Sequence, residues 1–187
     1  DTYLEKRGGM GALPLRGVQY VIWQNRATRF YVGARSLYLA ELYAPASYCA
    51  VIALELLLKA TLVYHDKSFD PIAARHNGNK LMRMIGNKVA GGKKVSVPAY
   101  FFADERFLVV SRYPTDGKGL GIPGSFLLDL DRIFANLVYL TPFQHNTELV
   151  RILTGQRSAA SRVVVRHNDQ SRQLRTFLRK FNPPLER

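Results

Sequence analysis

The sequence predicts an all-α fold: an up-and-down helical bundle of four to five main helices with a basic C-terminal extension. Three observations carry this. Apolar residues recur at three- and four-residue steps through several long segments. Prolines and glycines punctuate the joints between those segments rather than their interiors. With 187 residues, 47% of them hydrophobic, the chain is long enough to close one core without a second domain.

The elements follow in order. Residues 1–16 mix charge with Gly8, Gly9, Gly11 and Pro14 and read as a loose arm. The bundle proper is expected over 17–145. Its first helix, about 18–43, places Trp23, Ala27, Phe30, Ala34, Leu37 and Tyr38 on one face and leaves Arg26, Arg29 and Arg35 for a basic outer face. Pro45 ends it and suits the first turn of the next helix, where a missing N–H costs nothing.

Residues 46–64 (ASYCAVIALELLLKATLVY) are apolar nearly all round, which is the pattern of a central helix. The charges Glu55 and Lys59 lie four apart with the acid first, and read as a buried structural pair that fixes register. The same two charges, with Pro45 at the head, argue against a membrane span. Leu81, Met82, Ile85 and Val89 give a helix over 79–89, followed by a flexible basic loop at Gly91, Gly92, Lys93 and Lys94. Pro98 opens a further helix over 98–110, stopped by Pro114. Residues 115–124 hold four glycines and form a loop, after which Ser125 can cap a helix lined by Phe126, Leu127, Leu130, Ile133, Phe134, Leu137 and Val138. Residues 146–187 form the basic, partly helical extension.

Charge is the unusual quantity. Twenty-seven Lys and Arg face 14 Asp and Glu, a net +13, which attracts phosphate-bearing partners. The excess is clustered: no acid interrupts the run from Asp70 to Asp104, where six cations stand, and residues 151–187 contribute a further +7. The single Cys49 excludes an intrachain disulfide and any multi-cysteine zinc site. His65, His76, His145 and His167 are not spaced as ligands, so neither metal nor cofactor is expected. No Walker loop, dinucleotide fingerprint or nucleophile elbow occurs. The start of the sequence has no leader pattern, which sets the expectation of a cytoplasmic protein.

Four stretches together resemble the HEPN domain family: the aromatic-rich RFYVGARSLYLAELY, the apolar ALELLLKATL, RHNGNKLMRMI, and the later Arg112-Tyr113-Pro114. The resemblance covers residues 27–140. It implies a helical bundle, frequent homodimers, and one of two roles, RNA cleavage or the binding of nucleotides and partners. The cleaving branch uses an Arg followed after four to six residues by a His, the His moving a ribose proton while the Arg steadies the phosphate. Arg112 matches the Arg, but TDGKGLG follows its Tyr-Pro and supplies no His. The one pair with that spacing, Arg162 and His167, lies past the segment that resembles the family.

The candidate nucleotide- or RNA-binding residues are Arg75, His76, Asn77, Lys80, Arg83, Arg112 and Tyr113. His76 stands at the start of a helix, where N–H groups favour a phosphate, though it could equally cap that helix or pack in the bundle. Arg112 offers a bidentate phosphate contact and Tyr113 a stacking ring, against the plainer reading of terminal packing. The leading expectation is therefore a HEPN-like nucleotide- or RNA-binding module, a homodimer with room for a protein partner and no membrane. Two alternatives stand beside it: a metal-independent ribonuclease of a toxin–antitoxin or defence system, using His76 with Arg112 or Arg162 with His167, and a purely partner-binding bundle.

Overall fold

The computed structural model describes residues 16–102 and 123–141, with side chains from Gln19 onward. The first two helices form a hairpin, α1 (Arg16–Leu39) and α2 (Tyr43–His65). Ring pairs at both ends fix it as antiparallel: Tyr20 meets Tyr64 edge-on at 5.0 Å, and Tyr38 meets Tyr43 at 5.2 Å. Pro45 sits in the first turn of α2, as the sequence predicts.

A tight C-terminal turn closes α1. The Leu42 N–H donates to the Leu37 carbonyl at 2.9 Å and the Glu41 N–H to the Tyr38 carbonyl at 2.9 Å, with Glu41 in the left-handed region at φ 61°. That position usually holds glycine, because a β-carbon there costs roughly 1 kcal/mol or more. Glu41→Gly is accordingly expected to raise stability by up to about 1 kcal/mol, seen as a higher urea midpoint with an unchanged slope.

After α2 the chain doubles back through residues 66–77, and α3 (Gly78–Lys88) then runs beside α2 in the same sense. Contacts at both ends show this: His76 reaches Glu55 in the middle of α2, and Lys88 reaches Asp66 just past its end, at 2.6 Å. The last described helix, α4 (Phe126–Leu140), lies antiparallel to α1. Tyr38 stacks on Phe126 and Tyr31 on Phe134, while Gln24 Nε2 donates to the Thr141 carbonyl at 3.0 Å. The all-α bundle is thus as predicted, with four α-helices and no strand among the described residues, while α3 running in the sense of α2 departs from a strictly up-and-down order.

The core lies where α2 meets the other helices, with Leu54, Leu57, Leu58, Leu62, Leu81 and Ile85 wholly excluded from solvent. α2 is the one described helix long and apolar enough to cross a membrane, yet 78% of its most apolar 18-residue window is buried inside the fold. That is how a core helix is placed. The periodic face of α4 is buried throughout, from Phe126 to Val138.

Four local expectations are corrected. Arg26 and Arg29 are exposed on α1 as predicted, but Arg35 is fully buried, because α4 brings Asp131 to meet it. Ser125 precedes α4 without capping it: its own backbone is already helical (φ −79°, ψ −2°), and its Oγ donates to Asp129 at 2.8 Å. Pro98 opens a short 3-10 turn, Ala99–Phe101, and the rest of the helix expected over 98–110 lies outside the described residues.

The fourth correction concerns the glycine-lysine segment, which is no loose loop. It forms a 3-10 turn, Gly92–Lys94, entered through Gly91 at φ 80°. Gly92 packs so closely on α3 that a β-carbon there would stand 2.3 Å from the Ile85 carbonyl oxygen. Buried Val89 and Val95 hold the turn on either side.

Candidate functional site

The most organised polar group on the outside of the fold centres on His76. Glu55, one turn before Lys59 on α2, is buried with 7% of its side chain exposed, and Lys59 with 4%. Lys59 Nζ meets Glu55 Oε1 at 2.8 Å, and lies 5.6 Å from the centroid of the Trp23 ring on α1. The pair expected from the sequence is therefore present, with an aromatic face as third wall. What the sequence did not show is its outer partner.

His76 Nδ1 stands 3.0 Å from Glu55 Oε1 and 3.2 Å from Oε2, while 81% of the imidazole side chain is exposed. An ionised carboxylate only accepts, so Nδ1 carries the proton and donates it. Nε2 then faces outward as an acceptor, with no partner among the described residues. The carboxylate fixes both ring orientation and tautomer, as it does where a histidine must present one nitrogen to a ligand.

The backbone that delivers His76 is unusual. Asp70 Oδ1 accepts from the Ile72 and Ala73 N–H groups at 2.8 and 3.1 Å, nucleating a turn that ends at Arg75. Arg75 adopts φ 53°, a left-handed conformation that a long side chain rarely takes. Such strain persists only where surrounding contacts impose it. Here the Asp70 cap lies on one side and the His76–Glu55 bond on the other.

The start of α3 is not the open phosphate seat that its sequence suggests. Asn77, and not His76, is the cap: its Oδ1 accepts from the Lys80 N–H at 2.8 Å. Above the first turn lies Phe102, whose ring would be 2.3 Å from a β-carbon at Gly78 and whose carbonyl accepts from Asn79 Nδ2 at 3.0 Å. Asn77 keeps only its amide NH2 for a ligand. Anion attraction here must come from side chains.

Those side chains are present. Arg75, Lys80 and Arg83 are exposed, and none meets a carboxylate among the described residues. Lys88 differs, being paired with Asp66; Lys88 and the Ser68 hydroxyl and N–H hold that carboxyl well below its usual range. Beside Lys80 is a shallow cleft of about 260 Å³ lined by Asp66, Ser68, Asp70, Met84 and Lys88. Its mixed charge makes it a poor phosphate pocket. Arg112, Tyr113, Arg162 and His167 lie outside the described residues.

A second polar cluster, unforeseen in the sequence, joins α1 to α4. The Tyr31 hydroxyl donates to Asp131 Oδ1 at 2.6 Å, and Arg35 Nη1 donates to Asp131 Oδ2. All three are buried, with Phe134 stacked on Tyr31 at 4.2 Å. Burial, and then the Asp131 carboxylate, push the Tyr31 phenol well above its usual range. The sign follows: unfolded tyrosine ionises near pH 10 while folded Tyr31 does not, so its contribution holds below about pH 10 and is lost above it. We expect stability to fall by up to about 1.4 kcal/mol per pH unit there, with phenolate absorbance of this residue rising together with unfolding rather than ahead of it. This buried cluster joins two helices and serves the fold. Also among them, no group of three or more metal-ligating side chains occurs.

No protein-family model, no curated protein and no solved structure matches this chain.

Proposed function

We propose that this chain is a HEPN-like nucleotide- or RNA-binding module, in which cations of residues 75–83 hold phosphates and the outward nitrogen of His76 supplies a directional hydrogen bond. The observation that carries this reading is the His76 arrangement: an exposed imidazole, oriented from behind by a buried carboxylate, amid cations that have no described acidic partner. Arg75 and Arg83 give charge-assisted contacts to phosphate oxygens, and Lys80 adds a point charge. Arg112 and Tyr113 join the same reading from the HEPN resemblance, as does assembly into a homodimer. The tail cations add affinity without sequence choice.

The test is fluorescence anisotropy with a labelled mixed-sequence RNA and with ATP, in EDTA. Arg75→Ala/Arg83→Ala is expected to lower affinity at least tenfold at physiological salt with an unchanged unfolding midpoint. Wild-type protein retaining neither probe would reject the reading.

A ribonuclease reading has one observation in its favour: His76 Nε2 is left open to accept a proton while Glu55 stabilises the resulting imidazolium. RNA cleavage in EDTA that disappears in His76→Ala would establish it. Intact RNA bound by both proteins would reject it.

A further inference from the structure

Resting on the phosphate-binding reading above, we propose that the ligand is an extended single strand of nucleic acid, and that its backbone crosses the outer face of α3 onto the Gly92–Lys94 turn. The proposal therefore adds Lys93 and Lys94 to the site and selects a polymer over a free nucleotide.

Placement of the cations is the first argument. Lys80 and Arg83, three residues apart, share the face of α3 opposite its buried residues Leu81 and Ile85. Lys93 comes in from the other flank: a β-carbon at Gly86 would stand 4.0 Å from its Cγ. The stem of Lys93 therefore lies within packing distance of α3 at position 86. The cationic row thus runs from Lys80 over Arg83 to Lys93, with Arg75 before it and Lys94 after it.

The second argument is rigidity. The close approach of Gly92 to the Ile85 carbonyl, and the burial of Val89 and Val95, attach this turn to α3. The bonds from Lys94 N–H to Gly91 O at 3.0 Å and from Val95 N–H to Gly92 O at 3.1 Å close it. Its lysines are therefore held in register with those of the helix. A partner that exploits this register must itself be an extended polyanion.

Shape and charge supply the third argument. From Lys80 past Arg83 to Gly86, beside which Lys93 lies, is six residues of α3 and so about 9 Å. With Arg75 before it and Lys94 after it, the row offers five cations, more than the three phosphates of one nucleoside triphosphate can each meet. A cleft of about 260 Å³ beside it is lined by Asp66 and Asp70 as well as by Lys80 and Lys88, and so offers a triphosphate no net attraction. The sequence that carries the row, between Asp70 and Asp104, contains no acidic residue of its own.

Labelled 20-nucleotide oligouridine RNA and UTP are titrated into wild-type protein and into Lys93→Ala/Lys94→Ala, with the thermal midpoint of each recorded. The proposal predicts RNA binding at least 100-fold tighter than UTP binding, a loss of about tenfold on RNA in the variant, and equal midpoints. UTP binding as tightly as RNA, or a variant within twofold of wild type on RNA, would overturn it. The phosphate-binding reading would survive either result, since Arg75 and Arg83 would still matter. Failure of wild-type protein to bind RNA or UTP would instead remove both.

Discussion

Asp131→Ala is expected to lower stability by about 3–5 kcal/mol, the largest loss foreseen for any single polar side chain in this fold. The reason lies in what remains. Arg35 is wholly buried and cannot shed its proton, so removing the carboxylate opposite strips a buried cation of its charge partner. Tyr31 loses its 2.6 Å acceptor in the same step. For a domain of this size the loss corresponds to roughly 6–20 °C in unfolding midpoint. Arg35→Met/Asp131→Leu is expected to recover most of it, because two buried charges that are both replaced by apolar groups no longer need one another. A loss below about 1 kcal/mol in Asp131→Ala would mean that the α1–α4 contact is wetter than described.

Glu55→Ala is expected to cost about 3 kcal/mol, because it removes the carboxylate that meets the buried Lys59 ammonium. Lys59 is 4% exposed and otherwise faces the Trp23 ring. His76→Ala should cost less than about 1 kcal/mol, since its imidazole is 81% exposed and water takes over its role. The asymmetry separates scaffold from site. If Glu55 supports the fold and orients His76, then Glu55→Gln, which preserves shape, should retain most of the stability while broadening the His76 ring resonances in NMR spectra. Equal losses of stability for Glu55→Ala and His76→Ala would contradict the division.

The parts legible in the sequence were those whose signal is local. Apolar periodicity located α4 and its buried face from Phe126 to Val138, and the acid-first spacing of Glu55 and Lys59 revealed their pairing within α2. Arg35 was misplaced because the buried stripe of α1 includes Gln24 and Thr28 together with Tyr31, so polarity does not mark the outer face. A usable signal existed in part: Tyr31 and Arg35 are one turn apart beside buried Ala34, and Asp131 interrupts the apolar stripe of α4.

The partner of His76 was out of reach for a different reason. Glu55 is 21 residues away, and the two meet only because residues 66–77 turn the chain back along α2. Nothing in the spacing of a loop states where it returns. The cations themselves were visible as a run without acids, but the support that aligns Lys93 with α3 depends on the packing of Gly92 against a carbonyl.

Salt dependence of RNA binding tests the central claim most directly, because it counts the phosphates neutralised. The slope of log affinity against log salt is measured for wild-type protein and for a variant with alanine at Arg75, Lys80, Arg83, Lys93 and Lys94. At roughly 0.7 per contact to a single strand, the variant's slope should be shallower by about 3 to 4. An unchanged slope, with binding intact, would place the phosphates elsewhere on the chain and contradict the account.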